Sequence, residues 1–455
     1  MMTTHTQPLL SICIPTYNRA DLLEDALASL RPEVISLGEA VEVVVSDNCS
    51  SDSTADVLLR NSDWVRHSRS EQTTPFAMNM LRVACDLARG RFIWLVGDDD
   101  LVIRGAVTRV LESLVEHPEI AYHYLNFGWL NVAQRHQIIH ELDSSPALFP
   151  ARPGAFQSDE FNTLILPRIE DLAFLPGWNP SALFSGFFCF AAHRELFLRG
   201  RTRLHPSDNP LAHDYTAADD TFPHAVITLP QMAGKPVVYI GQPCVLQGTG
   251  AWGWAAYVNK TMIFSTHQFF SWLSDTDFAP DGLAKLWESY YVMAGRLFCR
   301  MLYHSDEHQG IEFALQEAIP AASGHLLFWE SFKAELQTDY DANDLAVQVK
   351  RMLDASPGAR IGLLGVGGTG LRLVKTVPEM RTALIWAADD SPALHGVPLQ
   401  GTSLVISKPD TLPAAELDCL VIADGNESVQ QTVDRVAPML KPGCLIVHPI
   451  SPWAR

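Results

Sequence analysis

The sequence predicts an α/β protein with two sheet-containing domains and a helical region between them. Two stretches carry that prediction. In residues 91–102, RFIWLVGDDDLV, five apolar residues run without interruption up to Gly97. Such a run suits a strand covered on both faces of a parallel sheet. In residues 361–370, IGLLGVGGTG, a short apolar strand leads through GxGxxG into a helix, the setting in which that motif has meaning.

The elements of the first 250 residues alternate in the same sense. Residues 9–14 read as a buried strand that breaks at Pro15-Thr16-Tyr17-Asn18. A helix follows from about Asp21, where Asp21 and Glu24 form an acidic analogue of a capping box. A second strand, 41–45, ends in SDNCSSDST, which can cap a helix near Ser53. Residues 74–89 are periodic at helical spacing, and Gly90 stops them before the central strand. The order is that of a nucleotide-binding half in a doubly wound sheet. A helix over 102–116, a strand over 120–125, a buried strand over 183–192, a short helix from His193 and a late strand over 237–240 complete it. Residues 131–180 have little period, as lids and substrate loops often do.

Asp98, Asp99 and Asp100 stand at the carboxyl end of the central strand, where open α/β sheets place their ligands. Adjacent carboxylates repel one another unless a cation joins them, and hard oxygen ligands suit Mg²⁺ or Mn²⁺. A solvated acidic turn is the bland alternative. Asp47 holds the matching position after strand 2. A second acidic pair, Asp219-Asp220, precedes Thr221-Phe222-Pro223-His224 and a helix, with a helix cap as its plainer role. His224 is a further candidate for phosphate or acceptor contact, and the segment QGTGAWGWAAY (247–257) suits a sugar-facing surface.

With 455 residues, 47% hydrophobic and 19% charged, the chain is long enough for two or three folded domains. A net charge of −19 argues against a nucleic-acid partner, because phosphate backbones need basic surface. Eight cysteines lie far apart without CxxC spacing, which fits small buried hydrophobes in a reducing cytosol rather than a zinc or disulfide framework. The start, MMTTHTQPLL, has neither a basic region nor an apolar core, so no signal peptide is expected. No apolar run is long enough for a transmembrane helix.

The stretches SICIPTYNRADLLEDALASL (11–30), VVVSDNCSSDST (43–54), FIWLVGDDD (92–100), GFFCFAAHRELF (186–197) and ADDTFPH (218–224) together resemble the family 2 glycosyltransferases of the GT-A fold. In finer detail they are similar to O-antigen transferases of the abequosyltransferase kind. The resemblance implies a nucleotide-diphospho-sugar donor, a divalent metal, Mg²⁺ or Mn²⁺, and inversion at the anomeric carbon. It further implies a saccharide or lipid-linked saccharide acceptor in surface-polysaccharide assembly, in the cytoplasm or at the inner face of the membrane. Carried over by position, Pro15, Thr16, Tyr17 and Arg19 hold the nucleotide and Asp47 reads its base. The family's first metal-motif carboxylate falls on Gly97, so the assignment shifts within the triplet. Asp99, with Asp100, is expected at the metal, and Asp98 in a donor-binding role. The base is expected in the pair Asp219-Asp220, with Asp220 preferred.

The expected domains are a GT-A domain over 1–250, a helical region over 251–355 and a Rossmann-like domain over 356–455. The helical region packs on the catalytic domain or on a twin subunit; Arg296 and Arg300 among aromatics suit shallow membrane contact as the alternative. In the last domain Gly365, Gly367, Gly370 and Asp389 form a candidate dinucleotide site, with NAD(P) as the secondary cofactor expectation. Asp389-Asp390 also reads as a plain turn. The competing functional readings are a dinucleotide-dependent sugar-modifying enzyme and a scaffold that holds a nucleotide sugar without turnover.

Overall fold

The fold was read from a computed structural model, in which residues 7–131, 135, 156–178, 182–205, 217–249, 258–303, 316, 319–391, 394–399, 402–423 and 429–449 are described. Two compact units divide the chain, Met1–Phe328 and Trp329–Arg455. The expected helical middle region is therefore shared between them.

The first unit is organised by one sheet. Its parallel half comprises β1 (Leu10–Thr16), β2 (Val41–Asp47), β3 (Val65–Arg69) and β4 (Phe92–Leu95) in the order β3-β2-β1-β4. β5 (Leu101–Val102), β6 (Tyr122–Asn131), β7 (Leu164–Leu166), β8 (Phe190–His193) and β9 (Val237–Thr249) extend it beyond β4, with β8 antiparallel to both β4 and β6. Leu10, Ile12, Ile14, Val44, Val45 and Phe92–Leu95 are all fully buried, as strands covered on both faces must be.

Several elements depart from their sequence reading. β3 was not anticipated: VRHSR alternates and carries charge because it is the edge strand of the parallel half. Leu101–Val102 pairs with β9 instead of opening a helix, and helix α4 begins only at Ala106, after Gly105 adopts a left-handed conformation. The apolar run at 183–192 splits into a helical turn, Ala182–Ser185, and the short β8, since continuous apolarity cannot separate buried helix from buried strand. The late strand extends through Thr249.

The helix caps also differ. Helix α1 (Ala20–Leu37) begins at Ala20, and its first amide is bonded by Asp52 Oδ2 rather than by an Asp21–Glu24 box. Asp52 Oδ1 also accepts from the amide and hydroxyl of Thr54, the first residue of α2 (Thr54–Arg60). Residues 74–89 form α3 (Phe76–Leu81) followed by a wider π-type turn, Arg82–Leu87.

Helices Val258–Ser274 and Pro280–Tyr303 belong to the first unit. Their anchor is Glu170, wholly buried, whose carboxylate accepts from the amides of Gly234 and Ala279. Phe184 packs edge-on against both Phe222 and Phe270.

The second unit carries a parallel sheet of β10 (Ile361–Leu364), β11 (Leu384–Ala388), β12 (Cys419–Ile422) and β13 (Leu445–Val447), in the order β11-β10-β12-β13. Helix Leu326–Ala355 contributes Leu345, Ala346 and Val349 to the core under Ile361 and Leu363, which explains why most of it goes with this unit. After β10 the chain turns at Gly365, φ +87°, and starts helix Gly368–Thr376. A side chain at Gly370 would strike the Gly365 carbonyl. Gly370→Ala is therefore expected to destabilise this unit by about 1–3 kcal/mol, through backbone displacement at a tight contact. Chemical denaturation monitored by circular dichroism checks it; an unchanged midpoint refutes it.

Candidate active site

The carboxyl ends of β1, β2 and β4 meet in one place. Parallel pairing sets Thr16 opposite Asp47, while β4 runs alongside Leu10–Cys13 and delivers Gly97–Asp100 just beyond. Thr16 Oγ1 donates to Asp98 Oδ2 at 2.8 Å, and Arg19 Nη1 lies 3.0 Å from Asp98 Oδ1 and 3.2 Å from Asp99 Oδ2. The sequence candidates Thr16, Arg19, Asp98 and Asp99 thus form one contact group. Pro15 is buried within β1 and shapes the turn, whereas Tyr17 is 38% exposed at its rim.

The three aspartates are not equivalent. Asp100 points inward: its oxygens accept from the amides of Gly97 (2.9 Å) and Gly248 (3.1 Å), and it is 2% exposed. Burial, with the Asp99 charge second, raises its pKa well above the usual carboxylate range. Asp98 is likewise held, by Thr16 and Arg19. Asp99 has the more open side chain, 13% exposed. Burial and then the neighbouring Asp98 charge push it up to about 6, against the opposing pull of Arg19. Gly97 explains the departure from the family wording. A Cβ there would come within 2.6 Å of Asp100 Oδ2 and 2.9 Å of Asp99 Oδ1.

Asp47 is completely buried. Its Oδ1 accepts from the Ser50 amide at 2.9 Å, while Oδ2 has no hydrogen-bond partner and faces Arg69 Nη1 at 3.8 Å. A buried carboxylate oxygen without a donor is an unsatisfied acceptor, a state that calls for a partner. The turns around it are laced together. Asn18, at φ +52°, donates its amide to Ser50 Oγ and accepts from the Ser51 amide. Behind them Arg82 binds Ser46, Ser68 and Ser70, and Asn79 pairs with Ser46. Sequence reading missed Asn18, Asn79, Arg69 and Arg82. The asparagine in PTYN and the clustered serines after β2 and β3 were the only signal.

Asp219 and Asp220 lie on the short helix Ala218–Thr221. Helix Val258–Ser274 holds this segment: Gln268 Oε1 accepts from the Ala218 amide, and Ser265 pairs with Thr221 at 3.0 Å. Asp219 is half-buried, and that burial raises its carboxyl above the ordinary value. His224 does not face solvent. It is 1% exposed between Phe187 and Phe190, and burial lowers it to about 3, so it is a neutral core residue. Of the segment 247–257, residues 250–257 lie outside the described residues.

In the second unit Asp389 turns back on its own loop. Its Oδ2 accepts from the Val366 amide inside the glycine-rich turn at 2.8 Å, and Oδ1 accepts from Ser391 at 2.9 Å. Gly365 turns the chain at φ +87°, Gly367 caps the helix Gly368–Thr376, and Gly370 lies in its first turn.

Residues 11–175 match the family described as glycosyl transferase family 2. The chain is 30% identical over 112 residues to a GalNAc(5)-diNAcBac-PP-undecaprenol beta-1,3-glucosyltransferase of Campylobacter jejuni, covering 24% of this chain and 35% of that protein. It is 34% identical over 113 residues to abequosyltransferase RfbV of Salmonella typhimurium, covering 24% of this chain and 33% of the relative. The chain thus spans about a third of the length of these relatives. Among solved structures, Staphylococcus aureus TarS 1-349 in complex with UDP-GlcNAc superposes with a TM-score of 0.41 and 12% identity, over 82% of this chain and 92% of that one. No helix among the described residues is long and apolar enough to cross a membrane.

Proposed function

We propose that the chain is an inverting, metal-dependent glycosyltransferase. It moves a sugar from a nucleotide-diphospho-sugar to a saccharide or lipid-linked saccharide acceptor in bacterial surface-polysaccharide assembly. The observation that supports this most is Asp99 at the carboxyl end of β4. It is a partly open carboxylate whose charge is disfavoured by burial and by Asp98, within the residues that match the glycosyl transferase family.

Asp47 Oδ2 is the acceptor for a base N–H of the nucleotide, which gives a hydrogen-bond donor to an oxygen that otherwise has only the Arg69 guanidinium 3.8 Å away. Arg19 is placed to move from Asp98 and Asp99 onto the diphosphate, and Thr16 keeps Asp98 in place as it does so. The donor set fits a hard cation. Mg²⁺ typically takes one or two carboxylates and completes its shell with substrate phosphates. Among the described residues no three acidic, histidine or cysteine side chains form a preformed cage. Asp99 is the residue that holds the ion; the inward bonds of Asp100 make it a brace, which narrows the expected Asp99–Asp100 pair. The bound ion supplies charge neutralisation on the departing diphosphate.

In transfer, the acceptor hydroxyl oxygen bonds to the anomeric carbon from the face opposite the nucleotide. The anomeric C–O bond breaks, the nucleoside diphosphate leaves with its electron pair, and the hydroxyl proton passes to a carboxylate. Asp219 takes that proton in this reading, because burial makes it the stronger base that a neutral-pH reaction needs. Asp389 already accepts two backbone amides, which speaks against a ribose contact and against the dinucleotide alternative.

The test is a panel of UDP-, GDP-, CDP- and dTDP-sugars, read by thermal shift and by donor hydrolysis with and without Mn²⁺. Stabilisation and metal-dependent hydrolysis with one nucleotide are expected; no binding of any overturns the reading. Asp47→Ala is expected to weaken donor binding by about 10- to 100-fold, as loss of a charge-assisted hydrogen bond does. Calorimetry on that variant checks it, and unchanged affinity removes Asp47 from the site.

A further inference from the structure

The first unit contains a cavity of about 750 Å³ between helices Val258–Ser274 and Pro280–Tyr303, and the segments bearing Trp178 and Phe184 also line it. That volume lies within the range of small-molecule sites, about 300–1,000 Å³. Three residues that line it each carry a buried polar atom with no hydrogen-bond partner: Trp178 Nε1, Thr266 Oγ1 and Tyr290 OH. Thr266 is 0% exposed, Tyr290 1% and Trp178 9%. A single such group is a tolerable defect; three on residues lining one cavity leave its wall with unmet hydrogen-bonding capacity close to the surface a ligand would touch. Phe184 and Phe270 belong to its apolar wall, and Lys285, Arg296 and Arg300 against the single carboxylate of Glu288 leave the lining net positive. Aromatic faces beside hydroxyl and indole donors suit a sugar ring, and the arginines suit an anion. The wall adjoins the acidic pair in sequence and in contact. Ser265, next to Thr266, pairs with Thr221, next to Asp220, while Phe184 packs on Phe222.

We propose that this cavity binds a phosphorylated saccharide and is the acceptor pocket of the enzyme. The acceptor role rests on the glycosyl-transfer reading above; the binding does not. It also gives Arg296 and Arg300 a place in a ligand site rather than on a lipid surface.

The full chain is titrated with glucose 1-phosphate, galactose 1-phosphate and N-acetylglucosamine 1-phosphate, with the parent sugars and inorganic phosphate as controls. A farnesyl-diphosphate-linked N-acetylglucosamine forms a further arm. At least one phosphosugar is expected to bind, more tightly than its neutral sugar or phosphate, and at least 10-fold more weakly in T266V/Y290F and in R296E. Tighter binding of the farnesyl-linked form assigns a lipid-linked source; equal binding assigns the soluble phosphosugar. In the free protein T266V/Y290F is expected to melt at the same or a higher temperature, because it removes unpartnered polar atoms. Failure of every phosphosugar to bind, unchanged affinity in both variants, or a lower melting temperature of the free double variant overturns the proposal. UDP binding is measured on the same samples. Phosphosugar binding without any sugar-nucleotide binding keeps the pocket and defeats the transferase reading, and the reverse result does the opposite.

Discussion

Asp99→Asn is expected to abolish sugar transfer and, in the ligand-free protein, to raise the melting temperature at pH 8. Both effects have one origin. The Asp99 carboxyl titrates at about 6 when folded, against 3.8 for an ordinary aspartate. Between those values the folded state holds a proton that the unfolded chain releases. Stability therefore falls as pH rises through about 4 to 6, and the loss is complete above that window. Asparagine has no charge to bury, so the variant should show a flatter profile there and gain about 2–4 °C at pH 8. Melting curves from pH 4 to 8, with and without Mn²⁺, check this. Wild type should recover stability with the ion and a sugar nucleotide, while the variant should not. A variant that keeps transfer removes Asp99 from the chemistry. One that melts lower at pH 8 shows that the charge was stabilising and that the proposed strain is absent.

Asp219→Asn should lower kcat by about 10²–10⁴-fold, the usual contribution of a general base, while leaving sugar-nucleotide affinity near that of wild type. Because burial raises its pKa, the wild-type rate should climb with pH through a range above that of a free carboxylate and then level off. In the variant this rising limb should vanish. Asp220→Asn should lose much less. If Asp220→Asn carries the large defect and Asp219→Asn does not, the roles within the pair are reversed, as the sequence reading preferred.

The parallel half of the sheet was legible because strands buried on both faces are uninterrupted apolar words, as at 92–96 and 361–364. Motif position also singled out Thr16, Arg19, Asp98 and Asp99, which the structure brings into one contact group. What escaped has physical causes. β3 is short, polar and at an edge, so its alternation resembles a loop. The division of 183–192 depends on tertiary contacts of Phe184 that periodicity does not register. Asp100 could not be told from Asp99 in the sequence, since the difference is which backbone amides each meets, and one of those belongs to Gly248, far along the chain. The orphaned groups around the cavity come from positions 178, 266 and 290, which share no motif.

Asp52 has a bearing on the thermodynamics of donor capture. One carboxylate fastens the first turn of α1 and the first turn of α2, and Asn18 stitches the same two loops together. The ends of β1 and β2 are thereby a single mechanical body, so a nucleotide bound there as proposed would meet a mould already set and lose little conformational entropy on entry. Severing that tie would leave every contact atom in its chemical place. Its mark would be calorimetric: a weaker association in which the entropy term, rather than the enthalpy of the individual bonds, carries the loss.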